Sequence, residues 1–337
     1  FTFKANDGAA DSNTSTVSIN VTDVNDSPTA SDDAKATDED TNLQFSASTL
    51  TSNDSAGPAN ENAQVLTVTS VSATANTHGT VSLSSGTVTY SPAANYNGPA
   101  SFTYQVCDNG TTNGAADSKC TTGTVNVTVN PVNDAPTLNA IANQTVYLGN
   151  TLTVTAVGSD IDLPAQTLSY SLVGTVPSGA AINSSTGAFS WTPTAAQGGQ
   201  IYTITVRVTD NGDPALYAER QFTVGVAYTW SNLLAPVQAG GTYKAGRTIP
   251  IKFQLTGASA GVTDAVARLL IFKISNNVLG DPVDVESTSA ATSGNLFRYS
   301  DGQYIFNLDT SALGPGTYQL QVDMGDGVLR AVNISLR

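Results

Sequence analysis

The sequence predicts an all-β chain built from several antiparallel β-sandwich domains in tandem. Apolar residues recur with a period of two, helical periodicity is nearly absent, and Gly, Pro, Asn and Asp interrupt the apolar runs about every 8–12 residues. This spacing is typical of sandwiches made from many short strands. At 337 residues the chain has room for three such domains of roughly 100 residues each.

Six alternating apolar runs give the clearest strand predictions, because every second side chain in each run would face a core. The runs are Val17/Ile19/Val21, Val125/Val127/Val129, Leu168/Tyr170/Leu172, Tyr202/Ile204/Val206/Val208, Phe306/Leu308 and Leu320/Val322/Met324. We expect each of them to be a half-buried strand.

An internal repeat sets the domain organisation. The segment TVSINVTDVNDSPTA returns as TVNVTVNPVNDAPTL, so that Asn25-Asp26 matches Asn133-Asp134 after 108 residues. Ahead of the two copies, FTFKANDGAADS corresponds to FTYQVCDNGTTNGAADS, and a more distant third copy reads YTITVRVTDNGDPALYAERQFTVGV. The repeat predicts a terminal hairpin of a preceding, incomplete domain over 1–26 and three complete domains over 27–134, 135–228 and 229–337.

Composition and charge restrict the class of partner. The chain carries 13 basic and 27 acidic residues, for a formal net charge of -14, which disfavours nucleic acid and anionic membranes and attracts cations. No run approaches the roughly 18 apolar residues of a membrane-spanning helix, so membrane insertion is not expected. Only 12% of residues are charged, and the abundance of small neutral polar residues indicates a secreted protein.

The two cysteines predict a disulfide. Cys107 and Cys120 bracket the segment DNGTTNGAADSK, whose Asn-Gly and Asp content is typical of a hairpin loop between two strands. A cross-strand bridge fits there, and the secreted type of composition favours it. A pair of free thiols is the alternative.

Three sets of motifs carry family resemblances. With DEDT, LTVTSVS, GTVTYSPAANYNGPASFTY and VNDAP, the domain 27–134 resembles the cadherin-like repeats of very large bacterial surface adhesins. With SDIDLPAQTLSYSL, PSGAAINSSTGAFSWTPT and YTITVRVTDNG, the domain 135–228 is similar to Ig modules related to cadherin and dystroglycan domains. The last domain resembles the PxKF module of secreted bacterial proteins through YTWSNLLAPV and KAGRTIPIKFQL. The fold implied is immunoglobulin/cadherin-like.

Calcium is the cofactor that these resemblances imply, because a hard cation binds six to eight oxygens and carboxylates at a domain junction supply them. At the junction between 27–134 and 135–228, the candidate ligands at the motif positions are Asn133, Asp134, Asp160, Asp162 and Asp210. At the preceding junction they are Asp23, Asn25, Asp26, Asp38, Asp40 and Asp108, with Glu39. The preceding set lacks a clean Asp-x-Asp partner at the turn equivalent to Asp160 and Asp162, and solvated turn residues are the alternative interpretation there.

Catalysis is not expected. The single histidine, His78, lies in the turn THGT without a nucleophile motif, and soft zinc ligands are too few. Acidic residues alone do not exclude glycoside hydrolysis, but their placement does not favour it. Lys252 alternates with Ile251 and Phe253 and should face solvent, which argues against an internal isopeptide bond. Trp191 and Trp230 are expected to be core residues.

The first 22 residues present two strands with one apolar edge, which would pair with another sheet. The partner would be a neighbouring repeat of the same protein or an identical subunit that receives the hairpin by strand addition. The sequence therefore predicts a non-enzymatic structural segment of a bacterial extracellular surface protein, either an adhesin stalk or a filament subunit, with calcium-rigidified junctions. The alternatives are an adhesin tip that binds host or matrix glycans or proteins, and accessory domains of a secreted hydrolase.

Overall fold

The structure is a computed structural model that describes residues 1–289 and 293–337. These residues form β-strands and four short 3-10 turns, and the described part of the chain contains no α-helix. The chain divides into two compact units, Phe1–Val132 with Asp162–Pro164 and Asn133–Ile161 with Ala165–Arg337. The predicted all-β class is confirmed.

The N-terminal residues form a small hairpin with two antiparallel strands, β1 (Thr2–Phe3) and β2 (Ser15–Thr16). The predicted strand over Val17/Ile19/Val21 is wrong, because regular structure stops at Thr16 and Val21 is 86% exposed. An alternating run becomes a half-buried strand only where a sheet and a core receive it. Val17 still exchanges backbone hydrogen bonds with Phe1, but no sheet of this unit pairs with residues 18–24.

The first sandwich follows this hairpin. Its strands are β3 (Asp33–Asp38), β4 (Leu43–Ser46), β5 (Thr67–Ala73), β6 (Gly79–Ser84), β7 (Thr87–Pro92), β8 (Gly98–Cys107), β9 (Thr111–Thr112), β10 (Ala115–Ala116) and β11 (Cys120–Asn130). One sheet has the order β3-β11-β8-β5 and the other β4-β7-β6, while β9 and β10 form a small separate pair. The first strand, β3, lies parallel to the last, β11, and the other pairs are antiparallel.

The core of the first sandwich forms as the alternation predicts. Phe102 and Tyr104 of β8 and Val125 of β11 are fully or almost fully buried. Across the strands, Gly123 lies opposite Tyr104 and leaves room for its ring, since a side chain there would overlap with the phenol. The Tyr104 hydroxyl lies 3.1 Å from both carboxylate oxygens of Asp54 and donates a hydrogen bond to them.

The second sandwich belongs to the other compact unit. Its strands are β12 (Thr137–Leu138), β13 (Gln144–Tyr147), β14 (Leu152–Thr155), β15 (Gly158–Ser159), β16 (Ser169–Val173), β17 (Ala181–Ile182), β18 (Ala188–Trp191), β19 (Ile201–Thr209) and β20 (Tyr217–Ala227). The two main sheets have the orders β13-β20-β19-β16 and β14-β18-β17. Trp191 is 1% exposed, packs edge-on against Tyr202 and donates its indole N–H to the Ser178 carbonyl, as a buried indole requires.

The third sandwich completes this unit. Its strands are β21 (Thr242–Tyr243), β22 (Thr248–Phe253), β23 (Arg268–Ser275), β24 (Val278–Val283), β25 (Arg298–Ser300), β26 (Gln303–Asp309), β27 (Gly316–Asp323) and β28 (Arg330–Leu336). The sheets have the orders β21-β28-β27-β23-β24 and β22-β26-β25. Phe253 stacks on Tyr304 and meets Phe297 and Trp230 edge-on, which forms the aromatic centre of this core.

Two side chains that were considered for chemistry lie at the surface. Ile251 and Phe253 are completely buried while Lys252 between them is partly exposed, as predicted. His78 is exposed in a turn with φ 44° and stacks on Tyr96 at a ring separation of 4.3 Å.

Candidate functional site

The predicted disulfide is confirmed. Cys107 at the end of β8 lies directly opposite Cys120 at the start of β11, and the two are joined. The bridge closes the loop 108–119, which contains the β9–β10 hairpin with Asn113 and Gly114 at its turn. The disulfide therefore holds together the two strands from which this loop emerges.

Beside the disulfide, Asp108 organises the end of the first sandwich at which the chain enters. Its Oδ1 atom accepts the backbone N–H groups of Gly110 and Lys119, both at 3.0 Å, and the Nδ2 group of Asn25 at 2.9 Å. Asp108 is 4% exposed and Asn25 is also 4% exposed. A carboxylate that accepts several N–H donors in this way fixes the backbone around it.

Asn25 links the incoming chain to this end of the sandwich. Its Nδ2 also donates to the Asp117 carbonyl at 2.8 Å, and its Oδ1 accepts from Gln64 Nε2 at 2.7 Å. Gly110 permits the close approach, because a Cβ atom there would overlap with the Asn25 carboxamide. We call Asn25, Gln64, Asp108 and Gly110 the entry network of the first sandwich.

The second sandwich repeats this arrangement within its own unit, and its entry network is Asn133, Gln166, Asp210 and Gly212. Asn133 Nδ2 lies 3.3 Å from Asp210 Oδ2 and 2.9 Å from the Pro214 carbonyl, and Gln166 Nε2 donates to Asn133 Oδ1 at 2.5 Å. Asp210 Oδ1 accepts the N–H groups of Gly212 and Leu216. Two sandwiches of different sequence thus fasten their incoming chain with the same four side-chain and backbone positions.

The glutamines of the two entry networks were not among the predicted site residues. A signal for them is present, because Ala-Gln precedes an alternating apolar run in both AQVLTVTSV and AQTLSYSLV. The amide side chains of Asn25 and Asn133 are occupied by these hydrogen bonds. Their role in the structure is to anchor the chain.

Two buried carboxylates at the entrance of the first sandwich each have one oxygen atom without a hydrogen-bond partner. The backbone N–H of Asp26 donates to Glu61 Oε1 at 2.9 Å, and Glu61 is 2% exposed. Glu61 Oε2 and Asp108 Oδ2 are both buried without a hydrogen-bond partner. Because an unpaired buried carboxylate oxygen costs free energy, this is a place where a cation would be stabilising. Asp23 lies nearby in sequence and accepts from Asn60 at 3.2 Å.

The predicted grouping of Asp38, Glu39 and Asp40 with this entrance needs correction. Asp38 ends β3, which runs parallel to β11 and pairs there with Asn130, whereas Asp108 follows Cys107 opposite Cys120 at the other end of β11. The eleven residues of β11 span about 33 Å at roughly 3.3 Å per residue. One cation cannot contact both groups.

Asp38, Glu39 and Asp40 lie instead at the end where β11 leaves the first sandwich. Asp38 Oδ1 accepts from the Asn130 side chain at 3.1 Å, and Asp40 Oδ1 accepts the N–H of Asn95 at 3.0 Å. Glu39 is 4% exposed and accepts the N–H of Val132 at 2.7 Å. Asp38 and Glu39 thus fix the outgoing chain, and Asp40 fixes the loop between β7 and β8.

In the second set of predicted ligands, Asp210 lies in the entry network and Asp134 follows Asn133 directly. Asp160 and Asp162 follow β15 in the loop that leads to β16. Within residues 1–289 and 293–337, no three or more His, Cys, Asp or Glu side chains come together in an arrangement that could hold a metal ion. A cation at either entrance would therefore also need carbonyl or water oxygens, which calcium accepts.

No helix in the described part of the chain is long and apolar enough to cross a membrane.

Comparisons with known proteins agree with this architecture. Residues 24–130 match the family described as Cadherin-like domain, and residues 135–230 match the family described as "Putative Ig domain". No curated protein sequence matches the chain at a significant level.

Solved structures that match the chain include repeats EC21-23 of human CDH23, with 17% identity, a TM-score of 0.43, and coverage of 93% of this chain and 100% of that chain. Repeats EC22-24 of mouse cadherin-23 share 14% identity at a TM-score of 0.40, with coverage of 93% and 99%. On the family matches, the chain contains a cadherin-like domain followed in tandem by an Ig-like domain.

Proposed function

We propose that this chain is a non-enzymatic structural segment of a bacterial extracellular surface protein, an adhesin stalk or filament subunit, whose sandwich entrances bind calcium. The observation that carries the proposal is the entry network, which occurs twice and anchors the incoming chain to a sandwich end with carboxylates at hand. Cadherin-like and Ig-like tandem domains are compatible with an extracellular structural or adhesive role. The disulfide supports an oxidising compartment.

At the first entrance, Glu61 and Asp108 are the residues that would hold calcium, with carbonyl or water oxygens as its other ligands. Glu61 and Asp108 each have a buried carboxylate oxygen without a hydrogen-bond partner, and they contact the consecutive residues Asn25 and Asp26 of the incoming chain. A bound cation would neutralise these carboxylates and add bonds between the sandwich and the incoming chain. The entering segment would lose the freedom to pivot that short interdomain segments normally have.

At the second entrance, Asp210 of the entry network is the proposed ligand, and Asp134, Asp160 and Asp162 stay sequence predictions. We propose the domain limits 27–134, 135–228 and 229–337, and assign the last domain, which resembles the PxKF module, a terminal, anchoring or assembly role. The complete last strand β28, with Ile334 at 1% exposure, supports a third sandwich that closes its own core.

Replacing Glu61 by Gln is expected to weaken calcium binding to the full chain by about tenfold, because a charged ligand is lost from the first entrance. Isothermal titration calorimetry with calcium chloride, and with magnesium chloride for comparison, measures this effect. Asp108→Asn should weaken binding in the same direction.

Asp284→Asn is the matched control, because it makes the same change of charge at an exposed position of the other compact unit. It should leave calcium affinity unchanged. A wild-type chain that takes up no calcium at millimolar concentration would remove the calcium part of the proposal, as would an equal loss in Asp284→Asn and Glu61→Gln.

We propose further that the N-terminal hairpin completes a sandwich of a neighbouring repeat or of an identical subunit. In the internal repeat, Phe1 corresponds to Phe102 and Val21 to Val129. Phe102 and Val129 are buried to 0% and 1% exposure, whereas Phe1 and Val21 are 74% and 86% exposed. This contrast supports the proposal, because the same apolar residues are buried in a core in one copy of the repeat and exposed to solvent in the other.

Deleting residues 1–21 is expected to leave the melting temperature of the remaining chain within about 2 °C, because exposed side chains add nothing to a core. The deletion should also reduce binding of the dye ANS and any self-association in sedimentation velocity. The hairpin proposal fails if the truncated chain melts much earlier, since the hairpin would then belong to the first sandwich.

A further inference from the structure

The joint between the second and third sandwiches, which lie in the same compact unit, is built differently from the entrances. Only Tyr228 and Thr229 separate the end of β20 from Trp230, which already forms a β-bridge with Leu255 of the third sandwich. Such a short connection leaves little chain to act as a hinge.

Both backbone polar groups of Tyr228 are held by side chains of the third sandwich. The N–H of Tyr228 donates to Asp326 Oδ2 at 3.1 Å, and its carbonyl accepts from Arg330 Nη2 at 2.9 Å. Asp326 and Arg330 also form a two-pronged ion pair, with Nη1–Oδ1 at 2.8 Å and Nη2–Oδ2 at 2.6 Å. Their side chains are 0% and 2% exposed, so solvent does not screen the pair.

The ring of Tyr228 is held from the opposite side, by the second sandwich. It covers the Gly198-Gly199 turn so closely that a Cβ atom at either glycine would overlap with the phenol. Tyr228 is thus held twice, because the third sandwich binds its backbone and the second sandwich packs against its ring.

Backbone contacts extend this joint on both sides of Tyr228. A Cβ atom at Gly225 of β20 would lie 2.7 Å from the Asp326 carbonyl oxygen, and one at Gly149 would lie 2.5 Å from Ala258 Cβ. Glycines at these positions let the two sandwiches approach to direct contact. Interdomain contacts that are this close and this buried do not leave the usual freedom of relative motion.

The electrostatics of the joint differ from those of the first entrance. The Asp326 carboxylate receives four donors, namely two from Arg330 and the N–H groups of Tyr228 and Val328. Its charge is matched by a guanidinium, which is the cation best suited to a buried two-pronged pair. This carboxylate therefore needs no metal ion.

We infer that the second and third sandwiches form a rigid pair, locked by the grip of Asp326 and Arg330 on Tyr228 and independent of divalent cations. The chain then has two kinds of connection, one at a calcium-dependent entrance and one closed by a protein-only lock. This inference does not rest on the calcium proposal, because it predicts the same rigidity with and without the ion.

Distance measurement between spin labels tests the lock in the full chain. Nitroxide labels on cysteines introduced at the exposed positions Ser171 of the second sandwich and Val278 of the third report on their relative motion. Wild type should give one narrow distance distribution by pulsed electron resonance, identical in calcium and in EDTA. A broad distribution in EDTA that narrows with calcium would overturn the inference.

Two variants attack the lock without removing a core side chain. In Asp326→Asn, an amide NH2 must face N–H donors whichever way it is turned, so the grip on Tyr228 is weakened. In Gly225→Ala, the new Cβ atom pushes against the Asp326 carbonyl. Both should broaden the distance distribution roughly twofold, towards the mobility usual for tandem domains.

Gly314→Ala is the matched control, since a Cβ atom there meets no atom within 4 Å. Its distribution should match wild type, and circular dichroism should show native β-structure in all three variants. If Asp326→Asn fails to fold, Gly225→Ala decides the test. Unchanged narrow distributions in the folded lock variants would overturn the inference.

Discussion

Replacing Arg330 by Met is expected to lower the free energy of unfolding of the C-terminal compact unit by about 3–5 kcal/mol, because it leaves a buried carboxylate without its counter-charge. Asp326 keeps only the N–H groups of Tyr228 and Val328 as donors, and its side chain is 0% exposed, so water cannot replace the guanidinium without opening the joint. Against a domain stability of about 5–15 kcal/mol, this is a large fraction.

Urea unfolding followed by tryptophan fluorescence measures the loss, since the Arg330 guanidinium lies 5.9 Å from the ring of Trp230. The matched control is Arg207→Met, which removes an ion pair in which Nε and Nη2 both donate to Glu219 Oε1 and whose side chains are 35% and 37% exposed. A surface pair of this kind contributes about 0–1 kcal/mol.

A double variant separates charge from packing. Asp326→Leu with Arg330→Met removes both charges and should cost less than Arg330→Met alone, although the Tyr228 backbone loses its partners. Equal losses in Arg330→Met and Arg207→Met would contradict the prediction, because they would mean that the buried pair behaves like a solvent-exposed one.

Local patterning predicted most of the fold. Successive side chains of a strand point to opposite faces of its sheet, so apolar alternation in the sequence predicted the buried positions of β11, β19 and β22. The wrong strand prediction at Val17, Ile19 and Val21 rested on the same alternation. Alternation states which face would be buried, but the presence of a core to receive that face is a tertiary property.

The candidate site was predicted in part. The repeat brought Asn25 and Asn133 to attention, and both lie in entry networks. Asp38 and Asp40 were assigned to the wrong end, because they follow Asp26 closely in sequence while β3 runs beside Val125–Asn130 and ends where β11 ends. Only the parallel pairing of first and last strands reveals this separation.

The lock at Tyr228 could not be predicted from the sequence. Asp326 and Arg330 are four residues apart in a turn-rich segment, DGVLR, which is typical of a solvated loop. Their burial depends on the approach of Gly225 and Gly199 from another sandwich. Contacts between elements that are distant in sequence leave no periodic signal in either of them.

Raising the pH above 10 is expected to destabilise the chain steeply, because several tyrosine hydroxyls are buried and stay protonated in the folded state. Burial raises the pKa of Tyr90, Tyr202 and Tyr304 above the ordinary value. Burial, with Asp54 and Asp33 nearby, also raises the pKa of Tyr104. Burial, with Tyr304, Asp264 and Asp326 nearby, raises the pKa of Tyr228 to about 12.

The direction of this change in stability with pH follows from proton linkage. The unfolded chain releases its tyrosine protons near pH 10, before the folded chain does, so the unfolded state binds fewer protons and stability falls as the pH rises. The stabilising contribution is lost between pH 10 and the folded pKa, at up to about 1.4 kcal/mol per pH unit for a buried tyrosine such as Tyr228 and at less for the partly exposed Tyr202. Several groups acting together should therefore unfold the chain before pH 12.

Urea midpoints at pH 8, 10 and 11, with tyrosinate absorbance recorded in parallel, measure this dependence. Wild type should lose only a little stability from pH 8 to pH 10 and considerably more by pH 11, with a cooperative rise in absorbance as it unfolds. Tyr228→Phe should fall less steeply, because it removes one hydroxyl with a raised pKa. A gradual rise in absorbance near pH 10 with an unchanged midpoint would mean that these hydroxyls ionise inside the folded sandwiches, which their burial should prevent.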